Sequence, residues 1–228
     1  MVPANHDIAI VQRAGPDPHQ PSEHWPVHWW VRAYARGWFP MANPTHGGLD
    51  LWRSQSRALI PLDQNFRVPR SVRRSLGRGA FQLSLNRSFD AVLRGCAERP
   101  DTWISGELAR IYRQLHRAGW AHSVEVWEGE ELAAGLLAIG IGSCWIGESM
   151  MHHRDHAGNV MLVRLVEALR DSGYSLFDVQ LSNQHLERFG CREIGDPAYT
   201  ALLRQARSRP TTLRLGESTV RCEGWMRE

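Results

Sequence analysis

The chain has 228 residues, 43% of them apolar, which is enough for one large domain or two small ones around a real core. A formal charge of +3 is too modest to mark a nucleic-acid binder by itself, so any such surface has to be local. No apolar run reaches the roughly 20 residues of a membrane span, the N-terminus lacks a basic-then-apolar signal pattern, and Cys96, Cys144, Cys191 and Cys222 share no CxxC spacing, so the expectation is a cytoplasmic, reduced, non-membrane protein.

Residues 1–24 are rich in Pro, His, Asp and Gln and are expected to form an extended or poorly ordered lead-in. Residues 29–36 predict a short helix stopped by Gly37, with Trp38-Phe39-Pro40-Met41 extended after it. Leu59-Ile60-Pro61-Leu62 predicts a short strand near a sheet edge, because Pro supplies no ladder N–H. Arg70, Arg73, Arg74 and Arg78 follow on a helical pattern, and the i, i+4, i+8 spacing puts Arg70, Arg74 and Arg78 on one face. That face suits either plain solvation or contact with phosphates.

A second domain is expected from about residue 80, giving a lead-in (1–24), a small N-terminal domain (25–79) and a main domain (80–228). Residues 80–85 read as a strand and 88–97 as a helix. The helix over 107–118 carries Leu108, Ile111, Tyr112 and Leu115 as an apolar stripe and stops at Gly119. Strands over 122–127, 132–141 and a short 143–146 form a meander. The helix over 160–170 carries Leu162, Leu165, Val166 and Leu169 on one face and ends at Gly173. An apolar strand over 176–181, a short helix over 184–188, a strand near 193–194 and a helix over 197–207 complete the pattern. The order β-β-β-α-β-α-β is that of an α+β (α/β-like) sheet with packed helices, the layout of the acyltransferase superfamily named after its N-acetyltransferase (GNAT) members. Residues 208–228 carry no functional signal.

Two short segments concentrate the chemistry: Gly147-Glu148-Ser149-Met150 and Asp178-Val179-Gln180. Each sets an acid in an otherwise apolar stretch, where a carboxylate is costly unless paired, hydrogen-bonded or protonated. Both acids could be structural, capping a helix or tying a turn, or at least one could work.

These segments, with Tyr34-Ala35-Arg36-Gly37-Trp38-Phe39-Pro40-Met41, Thr102-Trp103-Ile104, His122-Ser123-Val124-Glu125-Val126-Trp127, Asn183 and His185, resemble the leucyl/phenylalanyl-tRNA–protein transferases over about residues 29–206. Enzymes of that family add Leu or Phe to proteins bearing an N-terminal Arg or Lys. The chain departs from the family upstream of Tyr34, where Trp25 to Trp29 replace glycine-rich motifs, at Ser54-Gln55-Ser56-Arg57, which replaces Ser-Pro-x-x-Arg, and in the loop His156-Ala157-Gly158-Asn159.

The resemblance implies a reaction and a set of roles. An aminoacyl ester on tRNA is already activated, so alignment of the amine, proton removal and oxyanion stabilisation suffice. Asp178 and Gln180 are expected at the reacting centre, with Asp178 attracting the proton directly or through Gln180. Glu148 is expected to recognise the donor α-ammonium. Leu136, Met150, Leu162, Leu165, Leu169 and Phe177 are candidates for an apolar pocket that takes Leu, Phe or Met, although ordinary core packing explains several of them equally well. Met41 and Trp103 are implied at the 3′-terminal adenosine, and Arg70, Arg74 and Arg78 at tRNA phosphates. The expected partners are aminoacyl-tRNA and acceptor proteins with N-terminal Arg or Lys, the product is a substrate for N-degron proteolysis, and a monomer with no cofactor and no metal is expected.

Two rivals are a coenzyme-A-dependent N-acetyltransferase and a non-catalytic tRNA-binding relative. The first needs a glycine-rich pyrophosphate loop, and Arg154-Asp155-His156-Ala157-Gly158-Asn159 has one glycine and an acid. The second has no need of a proton-handling pair. His152, His153 and His156 lack an acid or thiol partner in a recognised metal-ligand spacing.

Overall fold

The computed structural model describes residues 8–10, 24–43, 48–77, 79, 81–100 and 102–226. Most of the expected lead-in lies outside this set; its residues Ile8–Ile10 form strand β1. Helix α1 (Val27–Tyr34) buries Trp30, Val31, Ala33 and Tyr34. The chain reverses at Gly37, whose φ of 82° is the left-handed turn that glycine adopts without strain. Strand β2 (Phe39–Ala42) follows and pairs with β3 (Leu49–Ser54), which also pairs with β1, giving a three-stranded antiparallel sheet.

Strand β4 (Ser56–Leu59) comes one residue after β3, yet it enters a different, seven-stranded sheet. It lies between two partners there, not at the edge expected from Pro61; Pro61 falls just past the strand, so no ladder N–H is lost. Helix α2 (Arg70–Leu76), strand β5 (Gln82–Leu85), helix α3 (Phe89–Ala97) and helix α4 (Gly106–Arg117) follow. Ser105 caps α4 by accepting from the Leu108 N–H. The meander is β6 (Ala121–Glu128), β7 (Glu131–Ile141) and β8 (Cys144–His152). Strand β8 runs well beyond the short 143–146 element expected from sequence, and Glu148 lies inside it. Helix α5 (Ala157–Asp171) crosses over to β9 (Leu176–Gln180), and then come α6 (Gln184–Glu187), β10 (Arg192–Gly195), α7 (Asp196–Arg207) and the hairpin β11 (Thr211–Leu215) and β12 (Ser218–Cys222).

The large sheet has the order β10-β4-β9-β8-β7-β6-β5. Its pairs are antiparallel except β8 with β9, which are parallel, as the intervening α5 requires. Alternation along β7 feeds two cores: Leu137, Ile139 and Ile141 pack on one face with α1, α3, α4 and α7, while Ala134, Leu136 and Ala138 pack on the other with α2, α5 and the C-terminal hairpin. The fold is therefore a mixed α+β sheet covered on both faces. No helix among the described residues is long and apolar enough to cross a membrane.

Candidate active site

The parallel strands β8 and β9 are paired only from Cys144 opposite Leu176 to Ile146 opposite Asp178. Past that point β8 stays on β7, and Leu137 faces Ser149 while Ala138 faces Gly147. Glu148 is thus the extra residue of a β-bulge, the device by which a strand re-aims a side chain. On the other side of the split, Leu59 faces Asp178 and Ala58 faces Gln180, so β9 bulges at Val179. Gln180 has a φ of 63°, a left-handed conformation uncommon for a residue with a side chain. Two bulges and one strained residue hold the three polar side chains at the same split in the sheet.

A continuous hydrogen-bonded chain runs through them. The Asp178 carboxylate is 0% exposed and accepts from Arg57 (Nη2 at 2.8 Å, Nε at 3.0 Å), from the Tyr199 hydroxyl at 2.6 Å and from the Gln180 backbone N–H at 2.8 Å. Arg57 lies 5.0 Å from the Phe39 ring centre and 4.6 Å from that of Tyr199, and it donates Nη1 to the Gly37 carbonyl at 3.0 Å. A Cβ at Gly37 would come within 3.0 Å of the Tyr199 ring, so the glycine serves this cluster as well as the turn. The Gln180 Nε2 donates to Glu148 Oε1 at 2.9 Å, the Tyr112 hydroxyl donates to Glu148 Oε2 at 2.8 Å, and Tyr34 follows 3.4 Å from Tyr112.

The electrostatics separate the two acids. Burial opposes charge on Arg57, but Asp178, Tyr199 and Glu148 outweigh it and raise its pKa, so the guanidinium stays charged and Asp178 has a full countercharge. Among the described residues Glu148 has no cationic side chain in an ion pair with it. Burial pushes its carboxyl up to about 7, against the pull of hydrogen bonds from Tyr112 and Gln180. Burial likewise raises Tyr34, Tyr112 and Tyr199, which remain hydroxyl donors at neutral pH.

Beside Glu148 a pocket of about 230 Å³ opens between β8, β9 and α5. Of the residues expected to line it, Leu136, Met150, Leu162, Leu165 and Phe177 do so. Leu169 does not: it is one helical turn further on and fully buried in the core beneath α5. Trp103 stands at the pocket, whereas Met41 is buried in the core at β2 and does not line it. The pocket shares Arg99, Met150, Asn183 and His185 with a wider groove of about 1050 Å³.

Arg70 and Arg74 are exposed on α2; Arg78 lies outside the described residues. His152, His153 and His156 are exposed, and no three His, Cys, Asp or Glu side chains among the described residues converge as a metal-binding group. All four cysteines are free, and burial raises Cys96 and Cys222 to about 11, which keeps both as thiols. Arg57, Tyr199, Tyr112 and Tyr34 complete the cluster but carried no role in the sequence reading. Tyr112 sits within an ordinary apolar stripe of α4, and only an arginine leading into the apolar run Ala58-Leu59-Ile60 hinted at a buried partner for an acid.

A family model described as leucyl/phenylalanyl-tRNA protein transferase matches residues 59–204. The leucyl/phenylalanyl-tRNA–protein transferase of Synechocystis sp. is 48% identical over 180 residues, covering 79% of this chain and 90% of that protein. The one from Rubrobacter xylanophilus is 45% identical over 177 residues, covering 77% and 92%. Among solved structures, FemX matches with a TM-score of 0.50 at 11% identity, covering 76% of this chain and 70% of that one, a likeness of fold alone.

Proposed function

The chain belongs to the leucyl/phenylalanyl-tRNA–protein transferase family, and from that premise we propose that it moves Leu or Phe, with Met as a further donor, from aminoacyl-tRNA to the α-amine of proteins beginning with Arg or Lys. The observation that carries this reading is the bulged Glu148 at an apolar pocket of about 230 Å³, hydrogen-bonded to Gln180. A carboxylate beside a pocket of that size suits a free α-ammonium whose carbon carries one large apolar side chain.

In the proposed reaction the acceptor nitrogen attacks the ester carbonyl. The C–N bond forms, the bond to the tRNA 3′-oxygen breaks, and the proton lost by the amine ends on that 3′-oxygen. Glu148 holds the donor α-ammonium. Gln180 gives its N–H to Glu148, which leaves its carbonyl oxygen to accept from the acceptor amine and orient the lone pair. Of the two routes expected from sequence, we read Asp178 as acting through Gln180 rather than by direct contact with an amine. The carboxylate is fully buried, and Arg57, Tyr199 and the Gln180 N–H occupy it. Asp178 is thus a positioning residue that fixes the strained Gln180. Trp103 stacks the terminal adenosine; Met41 lies in the buried core against which Trp103 packs. Arg70 and Arg74 contact tRNA phosphates.

The seven-stranded sheet with its splayed parallel pair is read as the N-acetyltransferase-like frame, with residues 25–79 as a smaller unit that lends β4 to it. The enzyme is proposed to act in the cytoplasm as a monomer and to mark proteins for N-degron proteolysis. The experiment is transfer of radiolabelled Leu, Phe and Met from charged tRNA to peptides beginning with Arg, Lys, Asp or Gly. Label on Arg and Lys peptides alone is expected. Label on Asp peptides alone would keep the chemistry and overturn the acceptor assignment.

A further inference from the structure

On the face of the sheet opposite α2, a second pocket of about 310 Å³ lies between the turn after α1, β3 and α7. Four arginines line it: Arg36, Arg53, Arg204 and Arg207, with Trp38 and Thr200. Two of them are fixed in place. Arg53 forms a two-pronged pair with Asp196 at 2.8 Å on each prong, donates to Thr200 and to the Arg36 carbonyl, and lies 5.4 Å from the Trp38 ring centre. Arg207 donates to the Ala35 carbonyl at 2.6 Å, closing the C-terminal end of α1. Arg36 and Arg204 are exposed, and their side chains have no partner among the described residues. Asp196 is paired with Arg53, which engages both of its oxygens.

Like charges gathered in one concavity repel unless an anion completes them. Stabilising the end of α7 accounts for one or two basic residues in its last turn, not for Arg36 and Arg53 from other elements converging on the same space. Fixed guanidinium groups beside a half-exposed indole are the chemistry that takes a phosphodiester next to a nucleobase. The pocket also adjoins Gly37, whose carbonyl holds Arg57 of the Asp178 cluster.

We propose that Arg36, Arg53, Arg204 and Arg207 form a phosphate-binding pocket that receives the RNA backbone of the substrate, on the opposite side of the β10–β4 sheet edge from α2. This rests on the reading of aminoacyl-tRNA as donor. The test is the double variant Arg36→Gln/Arg204→Gln, which alters two exposed side chains and leaves the fixed pair intact. Binding of tRNA is measured across a salt series, and kcat/KM is measured with aminoacyl-tRNA and with an aminoacyl-adenosine that lacks the phosphodiester chain. The expected result is an affinity about tenfold weaker, with the slope of log K against log salt reduced by about 2, and a drop in kcat/KM about tenfold larger for aminoacyl-tRNA than for aminoacyl-adenosine. Equal losses with both donors, unchanged tRNA binding, or a change confined to the KM of the acceptor protein would each overturn the RNA assignment, the last in favour of an acidic protein partner. If the unaltered protein itself fails to bind tRNA, the donor reading fails along with the pocket.

Discussion

Arg57 and Asp178 form an ion pair that is 1% and 0% exposed, and the desolvation of both charges is offset only because each finds several partners. Arg57→Ala leaves a buried carboxylate without its countercharge. It is expected to cost about 3–5 kcal/mol in unfolding free energy, read by chemical denaturation. Glu148 makes the opposite kind of prediction. Its carboxyl is ionised above about 7, so donor recognition should weaken as pH falls through that value. The acidic limb of the kcat/KM profile for the donor should therefore sit near 7 and vanish in Glu148→Gln, with donor KM raised about ten- to a hundredfold, as for a lost hydrogen bond to a charged group. The same shift has a sign in stability. The folded chain keeps this proton up to about 7 while the unfolded chain releases it lower, so the contribution of Glu148 to stability declines as pH rises to about 7 and stays low above it. The Tm of Glu148→Gln relative to the parent should rise between pH 5 and pH 8. At this scale the two acids were legible as acids in apolar stretches. Their difference was not, because it depends on Arg57 arriving from a strand 121 positions away.

Helix α5 shows how one apolar stripe serves two ends. Leu162 and Leu165 reach the pocket, and Leu169 packs only in the core. Leu165→Ala and Leu169→Ala are each expected to destabilise by about 2–5 kcal/mol. Only Leu165→Ala should alter the ratio of kcat/KM for Phe over Leu, because it alone enlarges the pocket; competition between the two charged tRNAs measures this. Periodicity placed the helix and its buried face, since a stripe at 3.6-residue spacing carries that information. It could not place the pocket, which exists because β8 and β9 part after Ile146 and Asp178. Nor could it give the length of β8: the polar pair Glu148-Ser149 interrupts the apolar run, and the bulge breaks the two-residue alternation that marks a strand. Strand β3 and the C-terminal hairpin were missed for a related reason. Their strands mix polar residues with short apolar contributions, and packing rather than pattern fixes them.

Across the whole molecule, a formal charge of +3 conceals separated basic surfaces, α2 on one side of the sheet and the arginine pocket on the other. Arg70→Glu/Arg74→Glu should weaken tRNA binding and flatten its salt dependence by about 2 in log–log slope, with thermal stability little changed because both side chains are exposed. The order of elements was readable from α2 to α7, whereas β1, β3 and the C-terminal hairpin went unread. The crossing of β4 into the large sheet was not readable, because strand pairing between residues far apart in sequence leaves no local trace. That crossing shapes the candidate site, since it delivers Arg57 to Asp178. The most direct measurement of the whole account is single-turnover transfer of Leu from charged tRNA to an Arg-initiated peptide by the parent, Gln180→Ala and Asp178→Asn, each saturated with donor. The account predicts that Gln180→Ala loses about 10²–10⁴-fold in rate, as expected for a lost proton-handling and orienting group, and that Asp178→Asn loses less while keeping donor binding. An unaltered transfer rate in Gln180→Ala would contradict it.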